Sequence, residues 1–190
     1  ATLERTTNGV GTAGELTWAE LARLDAGCWH SRAFAGEPLA TLDNVAHFCQ
    51  ANGSLLNIEI KPTPGLEALT GARVAAAAAR LWADESVPPL LTSFQVESLR
   101  AAQAAQPALP RGLLLDRLPA DWQQTVQQLQ CVALVCQHSL WTAELVAQAR
   151  TLGLRMASYT VNEPVDAQRL QDLGTHAVIT DRVDLFPPTS

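Results

Sequence analysis

The sequence predicts an α/β fold built on a parallel sheet, and three features carry that prediction. Short apolar runs of strand length alternate with longer segments of helical periodicity along most of the chain. Runs such as Val132-Ala133-Leu134-Val135-Cys136 are apolar on both faces, the pattern of strands covered on both sides. One run departs from it: Asn57-Ile58-Glu59-Ile60-Lys61 alternates with period two, so Asn57, Glu59 and Lys61 share one face and Leu56, Ile58 and Ile60 the other. A half-buried strand with its polar face in water has the same alternation. In a sheet covered on both sides, however, an acid and a base at a strand's C-terminal end read as functional.

The elements follow in order. Residues 1–14 are polar and glycine-rich, and Thr6-Thr7-Asn8-Gly9 is a turn signal, Asn and Gly being the residues that tolerate a left-handed backbone. Thr17 is the expected N-cap of a short helix reaching about Leu24, with Glu20 completing a capping box. After a loop through Pro38, a helix is expected over 39–51, with Leu42, Val45 and Phe48 or Cys49 at helical spacing and Asn52-Gly53 as terminator. Pro62 and Pro64 end the Glu59 strand, and Leu66 to Asp84 forms a long helix. Strands are then expected at 89–94, 112–115, 132–136, 155–161 and 177–180, and helices at 96–106, 120–129, 142–152 and 164–173.

That makes six strands. A doubly wound nucleotide-binding sheet would show a glycine-rich phosphate turn after its first strand, and the sequence has neither GxGxxG nor GxxxxGK[ST]. A closed barrel of eight strands typically takes roughly 250 residues, more than the 190 here. The expectation is therefore a single domain over 1–190 that is incomplete at its N-terminus.

Composition limits function. A net charge of −6 without long runs of one sign argues against a nucleic-acid surface. The most apolar stretch, Val74 to Ala83, carries Arg80 and is too short to span a bilayer, and no signal-peptide pattern opens the sequence. Cys28, Cys49, Cys131 and Cys136 lack CxxC spacing and read as reduced thiols of a cytoplasmic protein, Cys131 and Cys136 as core residues.

Thr2-Leu3-Glu4-Arg5-Thr6-Thr7-Asn8-Gly9, the stretch from Pro38 ending in Thr41-Leu42, Asn57-Ile58-Glu59-Ile60-Lys61, Thr92-Ser93-Phe94, Tyr159-Thr160-Val161-Asn162 and Val178-Ile179-Thr180-Asp181 occur in this order. Together, over nearly the whole chain, they resemble the glycerophosphodiester phosphodiesterase family, in its small cytoplasmic bacterial form. The resemblance implies a TIM (β/α)8 barrel with the first two strands missing from this sequence. With them would go the family's His-Arg-Gly, Glu-x-Asp and His-Asp motifs, and so both catalytic histidines and two of three metal carboxylates.

What the resemblance implies for function is metal-assisted hydrolysis of a glycerophosphodiester to sn-glycerol 3-phosphate and an alcohol, in lipid and glycerol metabolism. A divalent cation, Mg or Ca, neutralises phosphate charge, and histidines act as base and acid while the glycerol hydroxyl forms a cyclic phosphate that water opens. By resemblance Glu59 is the remaining metal ligand, and Lys61, about 7 Å farther along the strand, holds the phosphate. Phe94 and Tyr159, the latter where many relatives carry tryptophan, are expected against the substrate; no catalytic residue is assigned. An ion pair between Glu59 and Lys61 is the competing reading. At the level of the whole chain the alternative is a catalytically dead or truncated barrel serving as a phosphate-binding or assembly module.

Other candidates are weaker. His138 follows an apolar strand, where an acid or base would stand, but reads as a hydrogen-bonded structural histidine. His47 falls on a helix, His30 in a loop anchored by Trp29, and His176 outside any motif. Thr180 and Asp181 end the last strand, where Asp181 would repel phosphate and is expected to cap or pair locally.

Overall fold

The structure, a computed structural model, describes residues 2–186. Two compact units divide the chain, residues 1–55 and residues 56 onward.

The first unit is loop-rich. Leu3 and Thr7 are its buried opening residues, and the Thr7 hydroxyl donates to the Leu3 carbonyl at 2.7 Å. The Thr6 to Gly9 turn exists, but neither Asn8 nor Gly9 adopts positive φ; that conformation sits at Gly11. Gly9 instead packs closely, since a Cβ there would meet the Leu24 methyls at 3.0 Å and Leu24 would have to give way. Asn8 and Asp25 pin the turn through reciprocal bonds at 2.9 and 3.0 Å. Helix α1 (Trp18–Leu21) starts as expected, with Glu20 accepting the Thr17 backbone N–H at 2.8 Å, but stops earlier than Leu24. Helix α2 (Leu42–Ala51) starts later than residue 39, where Thr41 accepts the Asn44 N–H; it buries Ala46 and Cys49 and leaves Phe48 exposed.

In the second unit every expected strand and helix forms. Its elements are β1 (Asn57–Glu59), α3 (Glu67–Leu81), β2 (Leu90–Ser93), α4 (Val96–Ala105), β3 (Arg111–Leu115), α5 (Trp122–Gln128), β4 (Ala133–Gln137), α6 (Ala143–Thr151), β5 (Arg155–Tyr159), α7 (Pro164–Leu173) and β6 (Ala177–Val178). All adjacent pairs are parallel and the spatial order is the sequence order. A doubly wound sheet reverses its order at a switch point; this sheet does not, and is a half-barrel wall of six strands. Among the described residues β1 and β6 each pair on one side only.

The register sorts side chains onto two faces. Leu91, Leu113, Leu115, Leu134, Cys136 and Met156 pack against helical residues such as Leu99, Ala102, Trp122, Leu145 and Leu170, forming the core. Residues two apart on the opposite face include Glu59, Thr92, Gly112, Val135 and Tyr159. Gly112 packs closely there: a Cβ would meet Thr92 at 3.1 Å and Ala133 at 3.2 Å, so those neighbours would have to give by a few tenths of an ångström. Burial lifts the Cys131 thiol to about 11 and the Cys136 thiol to about 12, as befits core residues. No helix among the described residues is long and apolar enough to cross a membrane.

Candidate active site

Polar side chains collect at the C-terminal ends of β1, β2, β3 and β5. The end of β1 is held there by backbone bonding: Ile60 donates to the Thr92 carbonyl at 2.6 Å, and the Ser93 hydroxyl donates to the Ile60 carbonyl at 2.6 Å while accepting the Gln95 N–H at 3.0 Å. With Ile60 buried at 1% exposure, its neighbours Glu59 and Lys61 project to the opposite face. Asn57, on their face, has a structural role, its Oδ1 accepting the Thr92 hydroxyl at 3.0 Å.

Glu59, Lys61, Ser93, Phe94, Asp116 and Tyr159 line one cleft of about 430 Å³, completed by Ile60, Pro62 and Gln95. All four sequence-predicted site residues, Glu59, Lys61, Phe94 and Tyr159, are thus brought together. Glu59 and Lys61 are exposed, and among the described residues they form no ion pair with each other. The rings of Phe94 and Tyr159 meet edge to face, with centroids 5.7 Å apart and planes at 89°. The Tyr159 hydroxyl donates to the Leu115 carbonyl at 2.9 Å. Burial, then the charge of Asp116, then Cys136 and Glu59, push its pKa up to about 12, so it stays a neutral donor.

Asp116 is the site residue that the sequence reading missed. Period two was the available signal: two residues past Leu114, it lies on the Glu59 face just beyond β3. A second cleft, of about 360 Å³, shares Phe94, Gln95 and Asp116 with the first and continues along Leu113, Arg117, Asp121 and Trp122.

The remaining candidates lie elsewhere. His138 opens a turn after β4 with Nδ1 3.4 Å from Asp166 Oδ1 on α7, without hydrogen-bond geometry, and its carbonyl accepts from Arg169 at 2.9 Å. His176 Nδ1 accepts the Met156 N–H at 3.0 Å. Thr180 and Asp181 are both tied to Asn162, as a local pairing requires. His47 is exposed on α2. His30 sits between Trp29 and Phe34, ring centroids 5.6 and 5.0 Å away. Trp29, though 52% exposed, donates its ring N–H to the Ala26 carbonyl at 2.8 Å, and Asp25 organises the loop further by accepting N–H bonds from Gly27, Cys28 and Gly36. Those bonds, Gly27 foremost, hold the Asp25 carboxyl below its ordinary range.

Glu59 and Asp116 offer hard oxygen donors of the kind Mg or Ca takes. No group of three or more His, Cys, Asp or Glu side chains able to hold a metal occurs among the described residues. Glu59 and Asp116 are therefore not a complete ligand set by themselves.

The model of the glycerophosphoryl diester phosphodiesterase family matches residues 1–185. The chain belongs to this family. A glycerophosphodiester phosphodiesterase from Caldanaerobacter subterraneus subsp. tengcongensis is 31% identical over 185 residues, which are 95% of this chain and 73% of that protein. One from Bacillus subtilis is 30% identical over 200 residues, covering 97% of this chain and 68% of that one. Among solved structures, an Oleispira antarctica phosphodiesterase in complex with the product sn-glycerol-3-phosphate superimposes with a TM-score of 0.86 at 31% identity, over 95% of this chain and 72% of that chain. As a member of the glycerophosphoryl diester phosphodiesterase family, the protein is an enzyme of the phosphodiesterase class, and its half-barrel wall corresponds to the barrel of its structural relatives.

Proposed function

We propose that the cleft between Glu59 and Tyr159 hydrolyses glycerophosphodiesters to sn-glycerol 3-phosphate and an alcohol with the help of a divalent cation. The observation that carries this reading is the convergence of Glu59, Lys61, Phe94 and Tyr159 on one cleft in a chain of this family. Lys61, free of any ion pair among the described residues, holds a nonbridging phosphate oxygen as a point charge. Glu59 is one carboxylate ligand of the cation, Mg or Ca, which supplies charge neutralisation at the phosphate when bound. Phe94 and Tyr159 wall the substrate and exclude water from one side, the Tyr159 ring being fixed by its bond to Leu115.

In the same reading residues 1–190 serve one catalytic domain, which the family match across both compact units supports. The six strands are then the larger part of an eight-stranded barrel, supported by the unpaired outer edges of β1 and β6 among the described residues. A cytoplasmic location is supported by four cysteines with no disulfide among them.

The deciding experiment is release of sn-glycerol 3-phosphate from sn-glycero-3-phosphocholine with Mg or Ca, before and after chelation. Release that stops on chelation and falls in Lys61→Met supports hydrolysis in this cleft. Binding of sn-glycerol 3-phosphate without turnover would instead establish the phosphate-binding module.

A further inference from the structure

The end of β4 brings to the cleft face a polar side chain with no part in the hydrolysis described above. Leu134 and Cys136 belong to the core, so period two places Val135 and Gln137 on the opposite face, with Tyr159. Gln137 is the ladder partner of Tyr159 and follows the pair Leu115–Cys136 by one position. It therefore stands between Asp116 and Tyr159, both of which line the cleft.

The amide of Gln137 is oriented. Its Oε1 accepts the Ser139 N–H at 2.9 Å and also the Ser139 hydroxyl, capping the short turn His138–Leu140. A backbone N–H only donates, so the atom facing it is the oxygen and the other terminus is the NH2 group. Arg169 holds the same turn from α7, donating to the carbonyls of His138 at 2.9 Å and Trp141 at 3.2 Å. Gln137 is half-buried, and its Nε2 forms no hydrogen bond among the described residues. A cap alone favours a short side chain, Ser, Thr, Asp or Asn. Glutamine is longer by a methylene and presents a second polar group beyond the cap.

We infer that Gln137 is a further substrate-binding residue, whose Nε2 donates to a hydroxyl oxygen on the glycerol half of the diester. This inference rests on the phosphodiesterase reading of the same cleft. The donor is neutral, so it does not depend on the balance between Lys61, Glu59, Asp116 and a bound cation, nor on the charge of the leaving alcohol. An amide N–H needs an acceptor oxygen, and away from the phosphate the glycerol half carries hydroxyls by definition. Lys61, just past β1, and Gln137 on β4 stand three strand spacings apart, about 14 Å between backbones. Their two side chains reduce that gap to the span of a phosphate joined to a three-carbon chain.

A hydrogen bond to glycerol acts on affinity whether or not bond cleavage follows, so binding is the readout. Titration calorimetry on the full chain in the presence of Mg would compare sn-glycerol 3-phosphate, propyl phosphate, which lacks both hydroxyls, and inorganic phosphate. sn-Glycerol 3-phosphate is expected to bind about fivefold more tightly than propyl phosphate, an effect the size of one neutral hydrogen bond. Gln137→Asn keeps an amide oxygen for Ser139 but draws the NH2 group back by a methylene. It should abolish that ratio while Tm and the affinity for inorganic phosphate stay unchanged. Gln137→Leu should abolish the ratio too, and lower Tm through the lost cap. A ratio is used because a general loss of folding lowers all affinities together. If wild type binds sn-glycerol 3-phosphate and propyl phosphate equally, or the ratio survives in either variant, Gln137 is only a cap and the inference is overturned while the phosphodiesterase reading stands. If none of the three compounds binds at millimolar concentration, the phosphodiesterase reading falls and the inference with it.

Discussion

Tyr159 donates its hydroxyl hydrogen to the carbonyl of Leu115 at 2.9 Å, joining β5 to β3 past the intervening β4. The bond is made above the sheet rather than within it, since these strands share no ladder. It fixes the ring that Phe94 meets edge to face and ties the cleft's aromatic wall to the residue before Asp116.

Tyr159 is the only tyrosine in the chain, so the phenolate absorbance of the folded protein reports it alone. Its midpoint is expected near about 12 instead of the ordinary 10.0, with burial as the main cause and Asp116 next. The folded state thus keeps a proton that the unfolded chain loses first. The associated stability is fully present below pH 10 and is lost as pH rises toward about 12. Tyr159→Phe should lower the neutral-pH Tm by about 2–4 °C, corresponding to roughly 1 kcal/mol for one hydrogen bond in a chain of this size. The variant should lack only the Tyr159 share of the alkaline decline, because the buried Cys131 and Cys136 thiols, raised to about 11 and about 12, contribute a decline of their own. A titration midpoint at the ordinary tyrosine value would refute the burial argument.

Some of this site was legible in the sequence for a definite reason. Asn57-Ile58-Glu59-Ile60-Lys61 shows period two because one face of β1 is polar, so the shared face of Glu59 and Lys61 could be read directly. In β3 the run Leu113-Leu114-Leu115 is apolar on both faces, which hides the period and with it the direction of Asp116. Element order was recoverable because the strands are short apolar runs separated by helical spacing. The ends shifted where a local bond intervened: Thr41 caps α2 after the expected start, and Thr180 turns to Asn162 beyond β6. The part of Asp25 in the loop of Trp29 was hidden because the sequence gives no sign that one carboxylate would gather three backbone donors.

Arg111 opens β3 at 3% exposure with no carboxylate partner among the described residues. Its guanidinium donates to the carbonyls of Leu129 at 3.0 Å, Pro107 at 3.1 Å and Leu109 at 2.6 Å, and burial holds its pKa below the usual arginine value. It lies at the N-terminal end of a strand, opposite the cleft, where a residue serves stability. Arg111→Met would leave three carbonyls without their donor and should cost about 3 kcal/mol, read as a lower denaturant midpoint at unchanged slope. Arg111→Lys should recover only part of the loss, because an ammonium cannot reproduce the planar fork. A cost below about 1 kcal/mol for the methionine variant would show that water replaces the guanidinium.

Gly71 on α3 lies where α3 meets α4: an added Cβ would fall 2.1 Å from the Ser98 carbonyl oxygen. The Ser98 hydroxyl also donates to the Glu67 carbonyl at 3.0 Å, locking the approach. In an open helix Gly→Ala adds about 1 kcal/mol of stability. Here Gly71→Ala must separate two backbones, and a net loss of about 1–3 kcal/mol is expected in thermal or denaturant unfolding. A stabilised Ala variant would show that the contact yields without cost.

Glu59 and Lys61 stand two residues apart on one strand face yet form no ion pair, so their removal should affect turnover differently. On the proposed reading, in which Lys61 holds the phosphate, Lys61→Met should lower kcat/KM by about a hundredfold or more. Lys61→Arg should recover only part of this, since a planar guanidinium replaces a compact ammonium. Glu59→Gln keeps the shape but weakens an oxygen ligand; its deficit should shrink as Mg or Ca is raised, whereas that of Lys61→Met should not. If the two residues instead formed a solution salt bridge of purely structural value, both variants would lose Tm together and neither deficit would respond to the cation. Steady-state kinetics across a metal titration, with thermal unfolding of the same samples, separates these cases because only a ligand's loss can be offset by mass action.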